Sequence, residues 1–140
     1  MVKIPEDVAD VFNDDKTIKV LATLDETDVP HCVPIGSLYA LSQEIIAFGV
    51  FMTEKTHSNL LHSQQTGKLA SATVVSGMKS YQVKVWPKKY LTSGPIYEEF
   101  KKRLGALLAV SDLTLRGVWL LEPVEVYDQS PDQRAGQKLG

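Results

Sequence analysis

Residues Ile45 to Met52 read Ile-Ile-Ala-Phe-Gly-Val-Phe-Met, an apolar run with no polar break. No other stretch restricts the fold as tightly. The run is too short to cross a bilayer as a helix, which takes about 20 apolar residues. At strand spacing its side chains alternate between two faces, so both faces must be buried. A flat sheet with one wet side has no place for such a strand. A sheet with such a buried central strand is expected to curl.

The flanking segments supply such a sheet. Pro5 to Asn13 reads as a short helix with Val8, Val11 and Phe12 on one face. Thr17 to Asp25 is the first strand, in which Ile18, Val20, Ala22 and Leu24 share one face. His31 to Leu41 is the second strand and Ile45 to Met52 the third. A helix follows, with Thr53 as its N-cap and Gly67 as its stop. Leu69 to Ser76 and Ser80 to Thr92 are strands four and five. Ile96 to Val110 is an amphipathic helix carrying Phe100, Leu104, Leu107 and Leu108 at helical spacing, and Thr114 to Tyr127 is the last strand. Short turns between consecutive strands make the sheet antiparallel. Closing it into a barrel removes its edges. The expected fold is mainly β, an antiparallel barrel with three flanking helices. One domain spans residues 1–127, and a polar tail, 128–140, is expected to fray.

Composition narrows the function. A formal net charge of −2 removes the electrostatic pull of a nucleic-acid binder. Lys79, Lys84, Lys88 and Lys89, with Tyr81, Trp86 and Tyr90, read as a solvated strand face. The N-terminus lacks a signal-peptide stretch, and the single cysteine, Cys32, has no internal disulfide partner. The expectation is a cytoplasmic protein with no membrane segment. No glycine pattern matches a dinucleotide fingerprint or a P-loop, and neither G-x-S-x-G nor H-E-x-x-H occurs. His57 and His62 are five apart rather than four, so they read as two solvated helix residues rather than a metal pair. His31 and Cys32 point to opposite faces of a strand, and Cys32 is expected to be buried.

The segment with chemistry is Met52-Thr53-Glu54-Lys55-Thr56-His57-Ser58-Asn59-Leu60. It leaves a buried strand and opens a helix, whose first N–H groups are unpaired and carry partial positive charge. Such an end is an anion site. Lys55 sits in the first turn, where a cation opposes the macrodipole, and an anion there accounts for it. Thr53 and Thr56 add hydroxyl donors, and Asn59 falls on the face of Lys55 and Thr56. A Thr N-cap with incidental polar neighbours is the plainer reading of the same residues.

The string T-x-K-T-x-x-N-L at Thr53 to Leu60 resembles the phosphate-binding segment of the pyridoxamine 5′-phosphate oxidase-like, FMN-binding split-barrel family. The small FMN-binding protein of sulfate-reducing bacteria is one member it resembles. The likeness continues through Val20 to Leu24, Pro30 to Val33 with Tyr39, Leu69 to Val75, and Thr92-Ser93-Gly94-Pro95 with its helix. It implies a split-barrel homodimer with one FMN per subunit at the interface. Thr53, Lys55, Thr56 and Asn59 would hold the phosphate. The ring would lie along Pro34, Ile35, Gly36 and Ser37 and along Gly49, Val50, Phe51 and Met52, with Gly36 and Gly49 permitting close approach. Trp119 or Trp86 would reach the ring of the partner subunit. The implied function is a redox carrier or small flavin-dependent oxidoreductase with an unidentified redox partner. The alternative is a non-catalytic binding or storage module for FMN, a deazaflavin or haem. Strand five reads Lys84-Val85-Trp86-Pro87 where the family often has an Arg-Gly pair. True pyridoxamine 5′-phosphate oxidase activity is not expected, because the basic residues of its substrate site are missing. No side chain stands out as a general acid or base.

Overall fold

The computed structural model describes residues 2–105 and 114–140. Helix α1 spans Glu6–Asn13. Strands β1 (Ile18–Leu24), β2 (Pro30–Pro34), β3 (Leu38–Ala40) and β4 (Ile46–Val50) follow, then helix α2 (Glu54–Thr66). Next come β5 (Ala70–Ser76), β6 (Lys79–Leu91), helix α3 (Pro95–Arg103), β7 (Gly117–Asp128) and β8 (Gln137–Lys138). Leu107 and Leu108, expected on the third helix, lie outside the described residues. Among the described residues no helix is long and apolar enough to cross a membrane.

The strands form one antiparallel sheet in the order β2-β1-β5-β6-β7-β4-β3, with β8 added to β7. The two ends of that path, β2 and β3, are consecutive pieces of chain separated only by Ile35-Gly36-Ser37. One irregular strand thus serves both edges and curls the sheet into a split barrel, with the break at those three residues. The edge strand β3 is further protected by Asn13. Its carboxamide donates to the Ala40 carbonyl and accepts from the Ala40 N–H, each at 2.9 Å.

The central apolar strand is buried on both faces, as its sequence requires. Ile46, Phe48 and Val50 point into the barrel core with Leu21, Leu38, Val83, Trp119, the α1 residues Val8 and Phe12, and Ile4 just before that helix. Ala47 points outward and is covered by Phe100 and Leu104 with Leu115. Proline occurs within two long strands, and in both it sits beside a register shift: Pro87 in β6 and Pro123 in β7.

Two expectations are overturned, and the inward face of β1 is settled. In β1 the inward residues are Lys19, Leu21 and Thr23, while Ile18 is 63% exposed and Val20, Ala22 and Leu24 are only partly covered. The apolar face of β1 therefore points out of the barrel. Cys32, opposite Ala22 on that same outer surface, is exposed rather than buried. The C-terminal residues do not fray: β8 pairs with β7, the Val126 N–H donates to the Gly140 carbonyl, and Asp128 and Ser130 are buried. Here backbone pairing offsets the chain entropy that a polar composition alone would not.

Candidate functional site

The break in the barrel forms the site. Where the chain crosses from β2 to β3 it lies beside the end of β4. The Ser37 hydroxyl donates to the Gly49 carbonyl at 2.7 Å, and the Gly49 N–H donates to the Ser37 carbonyl at 3.1 Å. A cleft of about 170 Å³ opens there, lined by Pro34, Ile35, Gly36, Ser37, Phe48, Gly49, Phe51 and Thr53. Seven of the residues singled out in the sequence thus meet in one cleft, and Phe48 is added to them. Val50 and Met52 do not take part: Val50 is fully buried in the barrel, and Met52 is 75% exposed beyond the strand. The two glycines also differ. A Cβ on Gly36 would meet nothing, so the cleft stays open beside it. A Cβ on Gly49 would lie 2.6 Å from Phe100 Cε1, so that glycine makes room for α3 rather than for a ligand.

Helix α2 begins at the rim of the cleft. Thr53 occupies the N-cap position but makes no side-chain cap bond. The hydroxyls of Thr53 and Thr56 are both buried and have no hydrogen-bond partner among the described residues. Buried polar groups are nearly always paired; Thr17, Ser63 and Ser71 also have buried hydroxyls without a partner among the described residues, but Thr53 and Thr56 are the two that sit together at a helix N-terminus. Lys55 is half-exposed, with Nζ 4.0 Å from Asp25 Oδ2. Asp25 is itself held below the usual carboxylate range, chiefly by the N–H groups of Val29 and Thr27. Asn59 is turned inward: its amide donates to Thr23 Oγ1 at 3.0 Å and ties α2 to β1.

Arg116 joins this end of the molecule, and nothing in the sequence signals it. It lies 61 residues beyond Lys55 in the numbering. The β4–β7 register, with Val50 opposite Gly117, delivers it. Its N–H donates to the Val50 carbonyl at 2.9 Å, and its guanidinium pairs with Glu54. The helix N-terminus therefore has Lys55 and Arg116 near it. The pair with Glu54 holds the arginine in place, and the exposure of both side chains makes that pair weak in itself.

His57 is not a solvated helix residue. Its Nδ1 accepts a 2.9 Å hydrogen bond from the Trp119 indole N–H, and its ring lies 4.5 Å from that of Tyr90. Burial pushes its pKa below the ordinary histidine value. The bond fixes the neutral tautomer, with Nε2 carrying the proton. Trp119 is fully buried in this cluster, so it faces the barrel interior and not a surface that a second subunit can reach. Trp86, the other tryptophan considered, is half-buried on β6.

No protein-family model and no curated protein matches the sequence. Solved structures do match. HupZ of Group A Streptococcus has a TM-score of 0.75 and 16% identity, with 98% of this chain and 99% of that chain covered. An FMN-binding protein from Syntrophomonas wolfei subsp. wolfei has a TM-score of 0.69 and 20% identity, covering 86% of this chain and 81% of that one. HutZ, the heme storage protein from Vibrio cholerae, has a TM-score of 0.57 and 12% identity, covering 92% and 97%. This chain shares their fold. At such identities the likeness extends to the split barrel and not to a ligand.

Proposed function

We propose that the chain is a flavin-binding protein of the pyridoxamine 5′-phosphate oxidase-like group and that it takes FMN. The observation that carries this reading is the pair of buried, partnerless hydroxyls of Thr53 and Thr56 at the N-terminus of α2. A phosphate is an acceptor with several oxygens, and it would engage both hydroxyls together with the free N–H groups of the first turn. Lys55 would add a full charge, and Arg116 a second cation at the rim. The ring would enter the cleft beside Gly36, against Pro34, Ile35, Ser37 and Phe51. Bound flavin supplies one- and two-electron redox chemistry. The protein's part is to bind, orient and hydrogen-bond the ring.

The cleft is too shallow to enclose a three-ring system alone, and a second copy of the chain would complete it. The outward apolar face of β1, with Ile18 bare, supports a homodimer that covers it. We place the protein as a redox carrier or small flavin-dependent oxidoreductase whose redox partner is another molecule. The likeness to a heme storage protein makes haem the rival ligand. The test is the visible spectrum of freshly purified protein before and after adding FMN, followed through gel filtration. A flavin band that co-elutes at dimer size supports the reading. Failure to retain FMN overturns it, and uptake of haem or a deazaflavin in its place assigns the cleft to that ligand.

A further inference from the structure

Asp25 stands on the turn between β1 and β2 and faces the start of α2. The turn fixes its carboxylate. Oδ1 accepts from the Thr27 N–H at 2.8 Å, the Thr27 hydroxyl at 2.9 Å and the Val29 N–H at 2.9 Å. Oδ2 faces Lys55, with Nζ 4.0 Å away. Register makes this pairing systematic. Asn59 on α2 meets Thr23 on β1. Asp25 is two residues further along the strand, a step of about 6.6 Å. Lys55 is four residues back along the helix, a step of about 6 Å. The two steps match, so the bond that seats α2 on β1 also sets Lys55 over Asp25.

The second cation at this end is taken as well, Arg116 by Glu54. Both positive charges beside the α2 N-terminus thus already have a carboxylate, and an entering anion must share or displace it. The two carboxylates differ in firmness. The Glu54 side chain is 69% exposed, whereas that of Asp25 is 18% exposed and tied to its turn. The N–H groups of Val29 and Thr27 hold the Asp25 carboxyl below the usual carboxylate range, so its charge is present throughout the neutral range. Thr56, 1% exposed with an unpartnered hydroxyl, marks the spot an anion would fill.

We propose that Asp25 is a selectivity filter for this anion site: a fixed carboxylate that keeps free phosphate from Lys55 and admits a phosphate only on a ligand whose ring also engages the cleft beside Gly36. This rests on placing the phosphate at Thr53 and Thr56. Inorganic phosphate has only its own oxygens to set against the Asp25 charge. A phosphate monoester on a planar ring adds the apolar contact of the ring, which offsets the repulsion.

The test uses the full chain, labelled with ¹⁵N, as the parent and as Asp25→Asn. Asparagine keeps an Oδ1 acceptor for the turn and carries no charge. Inorganic phosphate is followed at the Lys55 and Thr56 amides, and FMN and riboflavin by fluorescence quenching. Asp25→Asn should bind inorganic phosphate about three- to tenfold more tightly than the parent. FMN should gain by a similar factor, and riboflavin, which has no phosphate, should bind both proteins alike. The gain should shrink as salt is raised. Should Asp25→Asn fail to fold, Asp25→Ser takes its place, since a serine hydroxyl caps the same kind of turn. Phosphate binding no tighter in the neutral variant overturns the proposal, and so does an equal gain for riboflavin. The flavin assignment fails separately: a parent that retains no FMN, with the phosphate gain intact, removes the flavin and leaves the filter standing.

Discussion

Replacing Thr56 by Val should move stability and ligand affinity in opposite directions. Thr56 is 1% exposed and its hydroxyl has no partner. An unpaired buried hydroxyl costs about 1–3 kcal/mol. Valine keeps the β-branched shape and has a similar helix propensity, so neither packing nor backbone preference obscures the comparison. The ligand-free variant should gain about 1 kcal/mol, which for a chain of this length raises the melting temperature by about 3–5 °C. If the hydroxyl binds a phosphate, removing it forfeits a hydrogen bond to a charged group, worth about 1.5–3 kcal/mol. That corresponds to an affinity loss of about 10–100-fold. Thr56→Ser keeps the donor and should stay within a few-fold of the parent. Thermal unfolding without ligand gives the first quantity, and quenching of FMN fluorescence on titration gives the second. A Thr56→Val protein that melts lower and binds FMN as tightly as the parent would refute the reasoning, because the hydroxyl would then have a structural partner and no ligand.

Three further outcomes follow from the packing and the titrations. Gly49→Ala drives a Cβ to 2.6 Å from Phe100, so it should cost about 1–3 kcal/mol, and Phe100→Leu in the same chain should recover part of the lost melting temperature. Asn13→Ala strands the N–H and carbonyl of buried Ala40, with an expected cost of about 1–3 kcal/mol, and hydrogen exchange at the Ala40 amide should accelerate before that of the β4 amides. His57 is held below its ordinary pKa by burial, so the unfolded chain takes up that proton first as pH falls. The stability it contributes is complete above the unfolded value of about 6.5 and declines as pH drops toward the lower folded value. Melting curves of the parent and of His57→Asn, which keeps an acceptor for Trp119 but does not titrate, should converge across that window, and parallel curves would contradict this account.

Most of the elements, and the polar helix start that follows β4, were legible in the chain itself. Ile45 to Met52 announced a strand buried on both faces, and the core inside the barrel and Phe100 outside it meet that demand. Thr53, Lys55 and Thr56 stand together at a helix N-terminus because their spacing puts them there. These are local properties, set by the periods of strand and helix and by unpaired N–H groups.

What the chain did not disclose depends on partners distant in sequence. Alternation in β1 showed two faces but not which one turns inward. The barrel buries Lys19, Leu21 and Thr23 because α2 reaches Thr23 through Asn59 and Tyr39 packs on Lys19, leaving Ile18 outside. Arg116 reaches Glu54 only through the pairing of β7 with β4. His57 looked solvated until β7 placed Trp119 beside it. The polar tail is ordered only because β7 has N–H and carbonyl groups left to share with β8 and Gly140. A side chain's period is written in its neighbours along the chain, but its burial and its charge partner depend on which strand lies next to it. Register between distant strands decides that, and only the folded barrel sets the register.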